Sequence, residues 1–279
     1  MPDESWYRIM NFHKDNGNLC FRCLCFLCGA PVGARFQKPY FRSFISRALF
    51  QGFISGGKFM NSCNIHGKSL CAEKVNLAQT MPYQKAKERI CIRTVNHCHN
   101  RQELEKLPYI GWEDLAIVFC YDVEDGGEIP ILPEDLKQWG IDLYELHRNA
   151  LIQSRRIHPP LFASLREVLG LPEDCGDAGT ENLLYVLTCR KAFYGSSVMF
   201  YPGMMTYLAE RLGGDLYVIP CSVHEVLLIR KKEIEDPQGL VSIIRSINRQ
   251  ELLPGDILSD SLYEYLADRD LLRRMAWNG

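Results

Sequence analysis

Two short apolar runs separated by a six-residue break constrain the fold more than any other feature of the chain. The runs occupy residues 216–219 and 226–229, and the break begins with Pro220, Cys221 and Ser222. Apolar runs of this length, bounded by turn residues, are typical of buried β-strands. Strands joined by so short a connection pair antiparallel, because parallel strands need a long crossover. The stretch therefore predicts two neighbouring antiparallel strands in the core.

The hydrophobic pattern predicts further short elements from residue 81 onward. Strands are expected at residues 90–95, 115–123, 129–132, 183–188, 197–201 and 257–266. Helices are expected at residues 101–106, at 133–150 as two short helices with a break at Gly140, at 161–169 and 204–212, and from residue 237, and the tail after residue 270 also has helical character. Because short turns join neighbouring strands, the sequence predicts an α+β fold, a mainly antiparallel sheet with helices packed on one face.

The composition changes abruptly near residue 80. Residues 1–80 carry 10 Lys and Arg against 4 Asp and Glu, with nine of the 13 Phe and six of the 12 Cys, whereas residues 81–279 carry 22 basic against 30 acidic residues. We therefore expect two parts: an N-terminal segment rich in Cys, Phe and Arg over residues 1–80, and an α+β domain over residues 81–279. Two hypotheses fit the first part, a disordered segment or translation from a wrong start codon or reading frame.

Charge and hydropathy narrow the expected location and partners. No run of about 18 apolar residues is present, so we expect no membrane partner. The first ten residues, MPDESWYRIM, lack the basic start and apolar centre of a secretory signal. Without export, the 12 Cys are expected to stay reduced in the cytoplasm. A net charge of −2 gives no reason to expect a nucleic acid, which leaves another protein as the partner to consider.

Four stretches of the chain resemble an uncharacterised bacterial family, domain of unknown function 5688. They are KERICIRTVNHCHNRQELEKLPYIGWEDLAIVF at 87–119, LKQWGIDLYELHRNAL at 136–151, LLYVLTCRKAFYGSSVMFYPGMMTYLAERLGGDLYVIPCSVHEVLLI at 183–229 and LLPGDILSDSLYEY at 252–265. Their order and spacing extend the resemblance over roughly residues 84–270. The first 80 residues depart from the pattern expected of such a family member. The resemblance implies a family label and no activity.

One candidate metal site lies in the N-terminal segment. Cys25 and Cys28 are separated by two residues, and so are Cys63 and His66. Two such pairs can each close a tight turn and together complete the tetrahedral set that zinc prefers. Large apolar residues crowd the first pair, which favours an unstructured segment over a zinc site. A zinc-dependent contact with nucleic acid through this basic segment is therefore the weakest of the functional hypotheses.

A second candidate site is the cluster Ser222, His224 and Glu225 at the break between the two apolar runs. A hydroxyl beside an imidazole that a carboxylate orients is the arrangement of a nucleophilic enzyme. On an extended strand Ser222 and His224 share a face, whereas Glu225 points to the other. A buried small residue beside a hydrogen-bonded histidine explains the same pattern without catalysis.

These observations favour a binding or regulatory module that is not an enzyme. Residues 81–279 contain no metal set, phosphate loop or nucleophile-elbow motif, and no cofactor is expected there. The alternative is a hydrolase or transferase centred on Ser222, His224 and Glu225. A binding module is expected to expose an apolar patch, and the candidate residues for this patch are Tyr109, Trp112, Phe200 and Tyr201.

Overall fold

A computed structural model describes residues 81–123, 128–168, 183–220 and 222–276 of the chain. These residues form two antiparallel β-sheets with helices packed against them. The expected α+β class, with mainly antiparallel pairing, is confirmed. The strands divide into two sheets, and the helices Pro133–Trp139 and Leu143–Ile157 separate the first four strands from the last six along the chain.

The first sheet has four strands. They are β1 Ile90–Asn96, β2 Tyr109–Trp112, β3 Leu115–Asp122 and β4 Glu128–Pro130. Strand β3 lies in the centre. Every residue of β1 pairs with it, from Ile90 opposite Tyr121 to Asn96 opposite Leu115. Its other edge is shared, because β2 pairs with the first half of β3 and β4 with the last three residues. The apolar run that predicted β3 is explained by this central position, where both edges are paired and both faces covered.

The second sheet has six strands in the order β10-β9-β7-β8-β6-β5. They are β5 Pro160–Ser164, β6 Leu184–Cys189, β7 Leu216–Ile219, β8 Val226–Arg230, β9 Tyr263–Leu266 and β10 Leu271–Arg274. The two apolar runs of the sequence form β7 and β8, which pair antiparallel with Ile219 opposite Leu227. They occupy the middle of the sheet, as their apolar sequence predicts.

Seven α-helices connect and cover the strands in the described part of the chain. They are α1 Tyr83–Ala86, α2 Arg101–Leu104, α3 Pro133–Trp139, α4 Leu143–Ile157, α5 Leu165–Val168, α6 Met204–Leu212 and α7 Pro237–Glu251. Helix α4 begins at Asp142, whose side chain accepts a hydrogen bond from the Glu145 N–H. It packs along β1, and its buried Ser154 hydroxyl accepts a bond of 2.8 Å from the Ile92 N–H. This bond satisfies a backbone donor at the open edge of the first sheet.

Three local expectations are wrong. Residues 161–169 were expected to be a helix, but Pro160–Ser164 is the edge strand β5, and only Leu165–Val168 is helical. Proline is tolerated at the first residue of an edge strand. The stretch 197–201 was expected to be a strand and lies largely within the 3₁₀ helix Gly195–Phe200. The tail was expected to be helical and contains β10, which pairs with β9.

In the described ranges, no helix has both the length and the apolar composition needed to cross a membrane.

Candidate functional site

The hydroxyl of Ser222 is engaged by backbone and not by the imidazole ring of His224. Ser222 is fully buried, and its Oγ accepts a hydrogen bond of 3.0 Å from the His224 N–H. Its backbone forms an isolated bridge with Ile257. Glu225 is buried just before β8. The three predicted residues are close along the chain, but their described contacts do not form a serine–histidine relay, and their catalytic role stays a prediction.

The ring of His224 is held by a neighbouring loop. Its Nδ1 accepts a hydrogen bond of 3.2 Å from the Tyr194 N–H, and its Nε2 lies 3.8 Å from Asp256 Oδ1. The rings of Phe193 and Tyr194 lie 5.4 and 5.5 Å away, centroid to centroid. The imidazole therefore accepts a hydrogen bond from backbone at one nitrogen and faces a carboxylate at the other.

The loop that holds His224 has a constrained backbone. Ala192 and Tyr194 have φ angles of 49° and 52°, a left-handed conformation that is costly for residues with a Cβ. At Gly195, a Cβ would collide with the Thr188 hydroxyl and the His224 carbonyl oxygen. Residues held in such conformations cluster at functional sites, where the surrounding contacts enforce the strain. The constraint fixes the Tyr194 ring next to His224.

On its other side, the Tyr194 ring meets the buried side chain of Arg93. The guanidinium carbon lies 3.7 Å from the Tyr194 ring centroid, and Arg93 Nε pairs with Glu128 Oε2. Burial opposes the charge on Arg93, but Cys120 and Glu128 outweigh this and raise its pKa. Arg93 therefore remains charged inside the protein, stacked on one ring and paired with one carboxylate.

A histidine, a second acid and two cysteines surround this ion pair. His158, the residue that ends α4, places Nε2 3.7 Å from Glu128 Oε1 and 3.9 Å from Asp122 Oδ1. Burial lowers the pKa of His158, with Glu128 opposing that shift. Cys91 and Cys120 lie opposite each other on β1 and β3. Burial raises the pKa of Cys91 well above its usual range and that of Cys120 to about 12, so both are neutral thiols.

Sequence analysis missed Arg93, Glu128 and His158, which are far apart in the chain. The one available signal was Arg93 itself, a charged residue inside the apolar run of β1. A charge at a position that the pattern assigns to the core is either paired or functional. Its partner was not identifiable, because Glu128 lies on a different strand, 35 residues further along the sequence.

Elsewhere in the molecule, aromatic side chains line one side of a solvent-open cavity of about 270 Å³, which we call the aromatic cavity. Its lining includes Trp112, Phe200, Tyr201, Tyr265, Thr206 and Asp270. The rings of Trp112 and Phe200 meet edge to face, with centroids 5.0 Å apart. The four aromatic residues were expected to form an exposed apolar patch, but none of them is exposed, and three of them line this cavity instead. The fourth, Tyr109, packs instead near His97, with ring centroids 5.7 Å apart.

One carboxylate marks the polar end of the aromatic cavity. Asp270 Oδ1 accepts hydrogen bonds of 2.5 Å from the Tyr265 hydroxyl and 3.0 Å from the Thr206 hydroxyl. These two bonds lower the pKa of Asp270, so the carboxylate is charged at neutral pH. Asp270 forms the turn between the 3₁₀ helix Ala267–Arg269 and β10. Its φ is 46°, a left-handed backbone angle that Asp tolerates better than most residues.

The proposed zinc ligands Cys25, Cys28, Cys63 and His66 lie outside the described residues, so this hypothesis stays a prediction. The same holds for the proposed nature of residues 1–80.

A model of the family of unknown function (DUF5688) matches residues 58–267 of the chain. The match covers most of the sequence and confirms the resemblance predicted from its motifs. It begins earlier than the expected start near residue 84, so the family pattern extends into the segment that composition had set apart. Comparisons with curated proteins and with solved structures gave no match.

Proposed function

The chain belongs to the family of unknown function DUF5688, and we propose that it is a non-catalytic binding module for a small organic cation. The observation that carries the proposal is the aromatic cavity, where Trp112, Phe200 and Tyr265 line a space that ends at the Asp270 carboxylate. A volume of about 270 Å³ is near the lower limit of small-molecule sites, which suits a ligand of a few heavy atoms.

The chemistry of the lining favours a positive charge on the ligand. Aromatic rings present a negative face, which attracts ammonium groups most strongly where water is excluded. Tyr265 is buried beside the cavity, and its hydroxyl donates to Asp270 and so fixes the position of that carboxylate. Asp270 adds a full negative charge beside the rings. A neutral ligand of the same shape gains the apolar contacts but not this electrostatic attraction.

The catalytic alternative, a hydrolase or transferase centred on Ser222, His224 and Glu225, has less support. Its hydroxyl accepts a backbone hydrogen bond and is fully buried, so a substrate has no access to it in this conformation. We also propose that the binding module is cytoplasmic, as the sequence led us to expect.

Binding of choline to the full-length protein tests the proposal. We expect isothermal titration calorimetry to detect choline binding and to show much weaker binding of its uncharged carbon analogue, 3,3-dimethylbutanol. Asp270→Asn should weaken choline binding by about tenfold, while Asn tolerates the left-handed backbone of this turn. Asp268→Asn is the matched control, because Asp268 lies in the same turn, is largely exposed and does not line the cavity.

Two results would contradict the proposal. If choline and dimethylbutanol bind equally well, the cavity has no preference for charge. If Asp268→Asn weakens binding as much as Asp270→Asn, the effect reflects the net charge of the surface and not the cavity.

A further inference from the structure

A second site, separate from the aromatic cavity, is formed by three metal-ligating side chains. Cys91, Glu128 and His158 place one ligand atom each within 4.8 Å of one another. They come from β1, from β4 and from the residue that ends α4. Three elements thus bring these side chains together at one point, although the residues are far apart in the sequence.

The imidazole of His158 provides an independent indication of a missing partner. Its side chain is nine-tenths buried, and its Nδ1 has no hydrogen-bond partner in the described structure. Its Nε2 lies 3.7 Å from Glu128 Oε1, which is too far for a hydrogen bond. A buried polar atom without a partner costs about 1–3 kcal/mol and calls for an explanation such as an ion or a water molecule.

Arg93, Cys120 and His158 surround Glu128, and its two oxygens face different partners. Arg93 pairs with Oε2, whereas Oε1 is the oxygen that faces His158. Asp122 Oδ1 lies 3.9 Å from His158 Nε2 and is held by Lys191 Nζ at 3.3 Å. Glu128 is therefore held by Arg93 at one oxygen and directs the other towards His158, with Cys91 completing the group.

We propose that Cys91 Sγ, Glu128 Oε1 and the His158 imidazole bind one zinc ion. Thiolate, carboxylate and imidazole are the three side-chain groups that zinc accepts, and three protein ligands leave a fourth position for water or another ligand. With Zn–S near 2.3 Å and Zn–N near 2.0 Å, ligand atoms around the metal lie roughly 3.5 Å apart, so atoms that already lie within 4.8 Å of one another need only a small contraction to bind one ion. The Cys91 thiol releases its proton to solvent as it coordinates.

Cobalt binding to the full-length, reduced protein tests this site. Cobalt(II) replaces zinc in such sites, and its thiolate coordination gives a charge-transfer absorption band. We expect Cys91→Ser and His158→Gln each to lower the bound cobalt by about one equivalent per chain and to remove the corresponding absorption. Cys98→Ser is the matched control, because Cys98 is an exposed thiol close by in the sequence, and it should leave both readouts unchanged.

The experiment also separates this site from the ligands predicted in the N-terminal segment. The double variant Cys25→Ser/Cys63→Ser should retain the equivalent that Cys91→Ser removes. Retention of all bound cobalt in both Cys91→Ser and His158→Gln overturns the proposal, and so does the absence of binding to the unmodified protein. Circular dichroism verifies that the variants are folded, and the two substitutions on different elements guard against failure of one to fold.

Discussion

At the scale of single residues, His224 is a hydrogen-bond acceptor that stabilises a strained loop. Its Nδ1 accepts a hydrogen bond from the Tyr194 N–H. The φ of 52° at Tyr194 is unfavourable for a residue with a Cβ, so contacts with its neighbours must stabilise it. The same Tyr194 ring lies against Arg93. This arrangement gives His224 a structural task that is independent of any reaction at Ser222.

Replacement of His224 distinguishes the two roles. His224→Ala leaves the Tyr194 N–H without its acceptor, and we expect a loss of about 1–3 kcal/mol in the free energy of unfolding, measured by urea denaturation. His224→Asn offers a carbonyl oxygen near the position of Nδ1 and should recover part of that loss. If His224→Ala instead keeps its stability and abolishes an activity of the protein, the catalytic interpretation of Ser222, His224 and Glu225 is favoured.

At the scale of elements, burial decided which parts of the fold were predictable. Strands β3 and β7 and helix α6 were predicted closely, because each buries a continuous run or a helical stripe of apolar side chains. The 3₁₀ helix Gly195–Phe200 was not, because distant partners determine it. The Ser196 hydroxyl donates to the Val223 carbonyl oxygen at 2.8 Å, and the Thr94 hydroxyl donates to Ser197.

The candidate sites divide in the same way. Ser222 and His224 were recognised because they are neighbours in the sequence. Cys91, Glu128 and His158 become neighbours only through the pairing of β1 with β3, of β3 with β4, and the packing of α4 on β1. No spacing rule links them, so their proximity could not be derived without the fold.

Strand β9 carries an acid whose ionisation contributes to stability. Glu264 accepts hydrogen bonds from Lys231 at 2.5 Å and from Arg273, its cross-strand partner on β10. Burial alone would raise the pKa of Glu264, but the bonds from Lys231 and Arg273 outweigh it and lower the pKa below its ordinary value of 4.5. The contribution is therefore fully present above pH 4.5 and is lost as the pH falls through the lower, folded-state pKa.

Substitution of Glu264 tests this linkage. Glu264→Gln should lower the free energy of unfolding at pH 7 by about 1–2 kcal/mol, a modest value because both cations are partly exposed. Its unfolding free energy should also fall less steeply below pH 4.5 than that of the unmodified protein. Urea denaturation at a series of pH values measures both effects. Asp268→Asn, at a largely exposed acid on the same hairpin, should reproduce neither.

At the scale of the whole molecule, polar side chains connect the two sheets and the two proposed sites. Tyr201 lines the aromatic cavity, and its hydroxyl donates to the carbonyl oxygens of Ser154 and His158 at the end of α4. It therefore contacts both the cavity and the backbone of a proposed zinc ligand. Asp114, in the turn between β2 and β3, links the two sheets by hydrogen bonds to the segment that leads into β9.

Asp114 provides the test at this scale. Its carboxylate accepts hydrogen bonds from the hydroxyls of Ser259 at 2.7 Å, Ser261 at 3.2 Å and Tyr263, so one side chain of the first sheet receives three donors from the segment that leads into β9. Burial and the bond to Asp114 raise the pKa of Tyr263, which remains a protonated donor.

Loss of this carboxylate should weaken the whole fold, because it leaves three hydroxyls without their charged acceptor at the contact between the sheets. We expect Asp114→Ala to reduce the free energy of unfolding by about 2–4 kcal/mol, less than the sum of three separate bonds because they share one acceptor. Glu113→Ala is the adjacent control. Its partner Arg274 lies 3.5 Å away and is half-exposed, so its loss should cost less than about 1 kcal/mol. Equal losses for the two variants would show that Asp114 does not join the sheets and that the turn itself, rather than the carboxylate, determines the stability of this region.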